Sequence, residues 1–333
     1  MIMAKLISRR RMILVSAAAC GLPLVDRTMA HAEAKPVIWK GQALGAVATL
    51  VLNHPDRAKA EQLIGQVVKE VARLEAIFSL YRPESELSQL NRLGALAMPS
   101  EELVALLEAS RLVWQDTDGL FDPTIQPLWT LHARHFAQPD ADATGPSAAQ
   151  IKRARSLVGF EKVSFNRDRV AFAKPDMGLT LNGIAQGYIA DRIVSLLREA
   201  GITSSLVDMG EISAIGRRDD GTAWQVGLAD TPEGFTAGDM VIPLVDKALA
   251  TSSPYGFRFD SAAQFGHIFH PRKAATTPLC RRLTAICDNA TTADAYSTAM
   301  TLMEPDEIRA VIAKRAGLSV DLITAAGEHV RLG

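Results

Sequence analysis

Leu63, Val67, Val71, Leu74 and Phe78 recur at steps of three and four residues, which places them on one face of a helix. His54-Pro55-Asp56 offers its start. Leu103, Leu106, Leu107, Ser110 and Trp114 repeat the period between Ser100 and Asp118, and Gly119 stands where such a helix would end. Further helices are expected from Ser147 to Val158, from Gly183 to Ala200 with Gly201 as its stop, after Thr292, and from Pro305 to Ala316. Ala43 to Leu52 reads as one strand, and Val163-Ser164-Phe165 with Val170-Ala171-Phe172 flank a polar turn as a hairpin. Other strands are expected at Leu179 to Leu181, around Leu206, Ala214, Val226, Val241 and Ala248, and at Leu318 to Ile323. Strands and helices interleave without a repeat, which predicts a mixed α+β architecture. Ala137 to Gly145, rich in Asp, Ala and Pro, reads as a surface loop or a weak boundary.

The chain has 333 residues, 48% of them apolar and 22% charged, enough to bury a core and house a site. The first 32 residues stand apart. A basic stretch, an apolar stretch from Met12 to Val25 and Ala30-His31-Ala32 follow the layout of an export signal. Ser8-Arg9-Arg10-Arg11-Met12-Ile13 resembles the twin-arginine signature, so a periplasmic location is expected, with residues 33–333 as the mature domain. The alternative is a lipid on Cys20, although Ala17 replaces the leucine usual three positions earlier. This leader carries a charge of +4, which leaves the body at −5 within a total of −1. An acidic body without a basic stripe excludes nucleic acid as the main partner. Cys280 and Cys287 are too far from any His pattern for a zinc site and leave an optional disulfide open.

The P-loop, dinucleotide, zinc-protease and hydrolase signatures are absent from the body. Polar or glycine residues instead interrupt the apolar pattern in five strings: Ser79 to Leu87 with Asn91, Gly119 to Thr124, Asn182 to Tyr188 with Asp191, Asp208 to Glu211, and Ala293 to Thr298. Gly183 and Gly187 at a helix start would let backbone amides approach an anion. Asp294 and Thr298, four apart, would face the same way on a helix and can share a hard cation such as magnesium.

In order and spacing these strings resemble the ApbE family of flavin transferases. The resemblance runs from about residue 37 to 325, through SLYRPESELSQLN, GLFDPTIQPL, LNGIAQGYIAD and ADAYSTAM, with ATSSPY and GHIFHPR between the last two. It is nearest to the exported NosX-type members, through N-G-I-A-Q-G-Y and D-M-G-E-I. It implies a T-fold-related α+β architecture and magnesium-dependent transfer of FMN from FAD to a Thr or Ser hydroxyl of an acceptor flavoprotein, membrane-associated in the NosX setting, with AMP released. By the same resemblance, Asp294, Thr298 and the backbone carbonyl of Ala185 would hold the metal, and His267 would be the base. Tyr81, Phe121, Asp122, Thr124, Gly183, Ala185, Gly187, Asp191, Asp208, Gly210 and Ser252 would line the flavin nucleotide site.

Three residues depart from the family pattern. Gln186 stands where many members have Lys, Glu211 where many have Gly, and His270 replaces the usual Asp before Pro271. The last leaves open which of two histidines carries the proton. Two alternative activities also remain, an FAD pyrophosphatase and a periplasmic FAD-binding protein without turnover.

Overall fold

The computed structural model describes residues 36–228, 240–276 and 279–333. The expected export signal and Cys20 lie outside the described residues. The chain begins with β1 (Val37–Ala43), β2 (Ala46–Leu52), α1 (Arg57–Phe78), α2 (Glu86–Leu93), β3 (Ala95–Ala97), α3 (Glu101–Asp116), α4 (Gln126–Phe136) and α5 (Ala148–Ser156). It continues through β4 (Val163–Phe165), β5 (Arg169–Phe172), α6 (Ala185–Glu199), β6 (Ser205–Asp208), β7 (Ile212–Ile215), β8 (Trp224–Leu228), β9 (Met240–Leu244) and β10 (Ala248–Ser252). It closes with β11 (Cys280–Cys287), α7 (Ala290–Met300), α8 (Pro305–Ile312), β12 (Ser319–Thr324) and β13 (His329–Leu332).

Eight strands form one antiparallel sheet in the order β1-β2-β6-β7-β10-β11-β12-β13. Side chains alternate across it, as a pleated strand requires. In β6, Val207 enters the main core with Leu74, Phe78, Ile189 and Ile193 of α1 and α6, while its neighbour Leu206 enters a second cluster. That second cluster holds Trp224, Val226, Ile242 and Leu244, so the β8–β9 hairpin covers the face opposite the helices. The architecture is the mixed α+β one expected.

The helix periods translate directly into burial. Asp56 accepts hydrogen bonds from the amides of Ala58 and Lys59 at the start of α1, and Val67, Val71, Leu74 and Phe78 are buried. Ser100 caps α3, whose Leu103, Leu106, Leu107 and Ser110 are buried. Ser147 and Gln150 close a capping box on α5.

Four expectations change. Ala43 to Leu52 is the end of one strand and the whole of the next, joined by Leu44 and Gly45 with φ of 49° and 83°. Leu179 to Leu181 is not a strand, because the Asn91 side chain takes both the amide and the carbonyl of Leu179, at 2.7 and 2.8 Å. The segment from Cys280 to Cys287, for which no element was expected, is an interior strand. Its two cysteines sit seven residues apart on that strand, roughly 23 Å at about 3.3 Å per residue, so they cannot pair with each other.

Gly187 marks where two helices meet. A Cβ there would lie 2.2 Å from the carbonyl oxygen of Ala290 and 2.8 Å from the Cα of Thr291, backbone that cannot swing aside. Gly187→Ala should therefore force α6 and α7 apart and cost at least the ~1–3 kcal/mol usual for overpacking. Gly65→Ala, in α1 with nothing within 4 Å, should instead stabilise by up to ~1 kcal/mol. Thermal melts of the two variants check both signs.

Candidate active site

α7 carries the central carboxylate, and three anchors fix that helix. Asp191 of α6 accepts the amides of Ala290 and Thr291, each at 2.8 Å, and the Thr291 hydroxyl. Asn289 caps Thr292 at 2.8 Å. Asp116 of α3 binds the Tyr296 hydroxyl and, at 2.6 Å, Nε of Arg315. Asp191, expected at the nucleotide, thus has both oxygens committed to the start of α7, and its part is to hold that helix.

Asp294 is buried beside the start of α6, where its Oδ2 accepts the Gly187 amide at 3.1 Å. That amide is one of the helix-end donors left without an intrahelical partner, so the carboxylate satisfies it and meets the positive end of the helix dipole. One turn on, Thr298 Oγ1 lies 3.3 Å from the Ser252 hydroxyl, which is 2.7 Å from Ser297 Oγ. A Cβ on Gly183 would sit 2.8 Å from Thr298 Oγ1, so only glycine lets that backbone pass. Ala185, the residue expected to offer its carbonyl, is the first residue of α6, two residues after the Gly183 whose backbone lies against Thr298. Gly187, expected to bring its amide to an anion, brings it to the Asp294 carboxylate, and is also the helix contact already described.

The β6–β7 turn completes this wall. Asp208 Oδ1 accepts the Gly210 amide at 3.0 Å, and Glu211 Oε2 accepts the Thr251 amide at 3.2 Å. Burial pushes Asp208 up to about 6. Burial also raises Asp294 and Glu211, with the charges of Asp294 and Asp208 adding to the second. Among the described residues these three carboxylates make no ion pair with Lys or Arg. Nor do three His, Cys, Asp or Glu side chains close a metal cage there. A hard cation would fit this donor set, drawing on Asp294, the Thr298 hydroxyl, the backbone carbonyl expected at Ala185 and oxygens brought by a substrate.

A second wall surrounds a cavity of about 490 Å³ between Gly119, Asp122, Gly159, Pro271 and Arg272, with Trp114 beside it. Phe121 and Thr124 are buried behind it. Asp122 accepts Thr124 N at 2.8 Å, Thr124 Oγ1 at 2.5 Å and Phe160 N at 3.2 Å, while Thr124 Oγ1 accepts the Gly159 amide at 2.7 Å. These bonds shape the rim. Burial pushes Asp122 up to about 6 from 3.8. A carboxyl raised on folding stabilises the fold below its unfolded value and loses that contribution as pH rises through its folded one. Between about pH 4 and pH 7 the wild type should therefore lose on the order of 3 kcal/mol relative to Asp122→Asn, checked by melts of both proteins across that range.

One segment joins the walls. It leaves β10 at Ser252, carries His267, and reaches the cavity at Pro271 and Arg272. Rings of Trp129 and His132 on α4 hold it through Phe257, Phe259, Phe265 and Phe269, with His132 and Phe269 centroids 4.7 Å apart. The two histidines have opposite hydrogen-bond patterns. His267 Nδ1 lies 3.2 Å from the Phe257 carbonyl, which accepts only a proton-bearing nitrogen, so neutral His267 keeps its lone pair on Nε2. His270 Nδ1 accepts the amides of Arg272 and Lys273 at 3.3 and 3.4 Å, so its lone pair is taken. Burial, then the Lys273 and Arg272 charges, lower its pKa.

Tyr81 stands on the loop after α1, 48% exposed. Glu75 ties that loop to the β1–β2 turn by binding Arg82 and, at 2.8 Å, the Leu44 amide. The turn itself escaped sequence reasoning. Gln186 Nε2 reaches the Ala43 carbonyl at 3.5 Å, and Ala46 approaches Gly210, so Ala43 to Ala46 borders the site. Leu44-Gly45 inside an alternating run was its signal.

The sequence model of the ApbE family matches residues 44–321. A protein of Escherichia coli (strain K12) named FAD:protein FMN transferase is 24% identical over 305 residues, covering 88% of this chain and 86% of its own. One of the same name from Treponema pallidum (strain Nichols) is 28% identical over 236 residues, 64% of this chain and 63% of its own. Among solved structures, the Pseudomonas stutzeri flavinyl transferase ApbE in its apo form superposes with a TM-score of 0.76 at 26% identity, covering 91% and 95% of the two chains. The ApbE protein of Thermotoga maritima gives 0.78 at 25% identity, covering 89% and 97%.

Proposed function

The chain belongs to the ApbE family, and on that footing we propose that it transfers the FMN part of FAD to a Thr or Ser hydroxyl of an acceptor protein, releasing AMP. The observation that carries this reading is the pairing of an oxygen-rich wall around Asp294 and Thr298 with a His267 whose Nδ1 donates to a backbone carbonyl. The acceptor hydroxyl attacks the flavin-side phosphorus. A new P–O bond forms, the bond from that phosphorus to the bridging oxygen breaks, and AMP leaves with that oxygen. His267 Nε2 takes the hydroxyl proton. Ser252 and Ser297 fix the Thr298 hydroxyl beside Gly183, while Tyr81 offers a flat ring for the isoalloxazine and Asp208 with Gly210 borders the nucleotide. The cavity beside Trp114 and Asp122 gives an aromatic end of the dinucleotide room.

Magnesium suits the wall because its donors are hard oxygens and its buried carboxylates have no cationic partner of their own among the described residues. When bound, it would neutralise phosphate charge as a Lewis acid. The leader supports export to the periplasm through the twin-arginine route, and the NosX-like strings support an acceptor held at the membrane. Incubation with FAD, magnesium and an acceptor should yield AMP and an in-gel fluorescent acceptor band. AMP with free FMN alone would instead make the protein a pyrophosphatase, and neither product would make it a binder.

A further inference from the structure

The segment that carries His267 also presents an aromatic ring to solvent. Tyr255 is 46% exposed, yet its backbone and its ring are both held. Its amide donates to Ser253 Oγ at 3.2 Å, that hydroxyl donates to the Arg281 carbonyl of β11 at 2.9 Å, and the Gly256 amide donates to the Ser253 carbonyl at 3.1 Å. The Arg258 guanidinium lies over the ring, with Cζ 4.5 Å from its centroid, and Arg258 Nη1 is fixed in turn by the Ala263 carbonyl at 2.8 Å. Fixing an exposed side chain costs rotamer freedom, and a cation on a ring that stays in water returns little for it. A rigid aromatic side chain of this kind is what an interface uses as an anchor.

The same backbone sets the ring beside the base. Phe257, two residues on, gives its carbonyl to His267 Nδ1, and Arg258 pairs with Gly266 across an antiparallel bridge, so Tyr255 and His267 belong to one short hairpin. Gly256 stands between them. A Cβ there would lie 3.7 Å from His267 Cε1, so a longer side chain would fill the space between the imidazole and the ring. Arg258 makes no ion pair among the described residues, and both oxygens of nearby Asp260 accept amides, those of Gln264 and Phe265. The flavin nucleotide has its place on the other side of the base, against Thr298, Tyr81 and the cavity beside Trp114. What comes to the imidazole from the Tyr255 side is the owner of the attacking hydroxyl.

We propose that Tyr255 and Arg258 form the platform on which the acceptor protein docks, receiving the residues beside its Thr or Ser while that hydroxyl reaches His267. The ring takes an apolar side chain of the acceptor, and the guanidinium takes a carboxylate. This rests on the transferase reading for the existence of an acceptor, and it adds where the acceptor lands and what chemistry it brings.

The test is FMN transfer to a soluble acceptor domain with a single reactive Thr, varied at saturating FAD, with FAD affinity followed separately by flavin fluorescence. Tyr255→Ala should raise KM for the domain by about tenfold or more, the loss of an interface anchor, while kcat and FAD affinity stay within about twofold. Tyr255→Phe, which keeps the ring, should recover most of that loss. Arg258→Gln should raise KM and flatten its rise with added salt, because an exposed charge pair is screened. An unchanged KM in Tyr255→Ala overturns the proposal. So does a fall in FAD affinity alone, which would give the ring to the nucleotide, or a fall in kcat alone, which would make it a support for His267. A wild type that flavinylates no acceptor removes the transferase reading and this proposal together, whereas wild-type transfer beside a normal KM in Tyr255→Ala removes only this one.

Discussion

Replacing His267 with alanine should slow FMN transfer by ~10²–10⁴-fold, the usual cost of removing a general base, while FAD binds with nearly unchanged affinity. The Phe257 carbonyl holds the ring in the tautomer that presents Nε2 as an acceptor, and the α4 aromatic rings hold the segment that carries it. His270→Ala should be mild, because the Nδ1 of His270 already serves two turn amides. A crippled His270→Ala beside a normal His267→Ala would reverse the assignment. Single-turnover rates across pH for the two variants decide it.

Asp294→Asn should abolish most divalent-dependent turnover, with a loss on the order of 10²–10³ or larger, as for other deletions of electrostatic stabilisation. The substitution keeps an oxygen for the Gly187 amide and removes a charge buried near Glu211 and Asp191. Its metal-free melting temperature should therefore be no lower than that of the wild type. Manganese, which favours similar oxygen ligands, should restore part of the rate at raised concentration. A variant that melts much lower yet keeps wild-type turnover in the cold would reduce Asp294 to a cap for α6.

The helices with clean apolar stripes, α1 and α3, were legible in the sequence because one face packs and the other is solvated. β11 was not. Its Arg282 is buried and paired with Asp321 at 2.8 Å, so a charge stands where the pattern of a core strand calls for an apolar residue. α2 was hidden inside a string whose polar residues drew attention to chemistry instead, and α4 begins just after another. The site shows the same division. Asp294, Thr298 and Ser252 come together as their strings suggested, since two lie one helical turn apart and the third ends the neighbouring strand. Asp191 looked like a ligand because a carboxylate beside a glycine-rich turn carries no mark of its partner. Here that partner is the start of a helix about a hundred residues further along.

The most direct measurement is the intact mass of an acceptor protein after reaction with FAD and magnesium, taken together with the AMP released. The account predicts one FMN joined by a phosphoester to a Thr or Ser of the acceptor for each AMP formed, and no covalent product when that residue is alanine. AMP accumulating beside free FMN, with the acceptor mass unchanged, would contradict it.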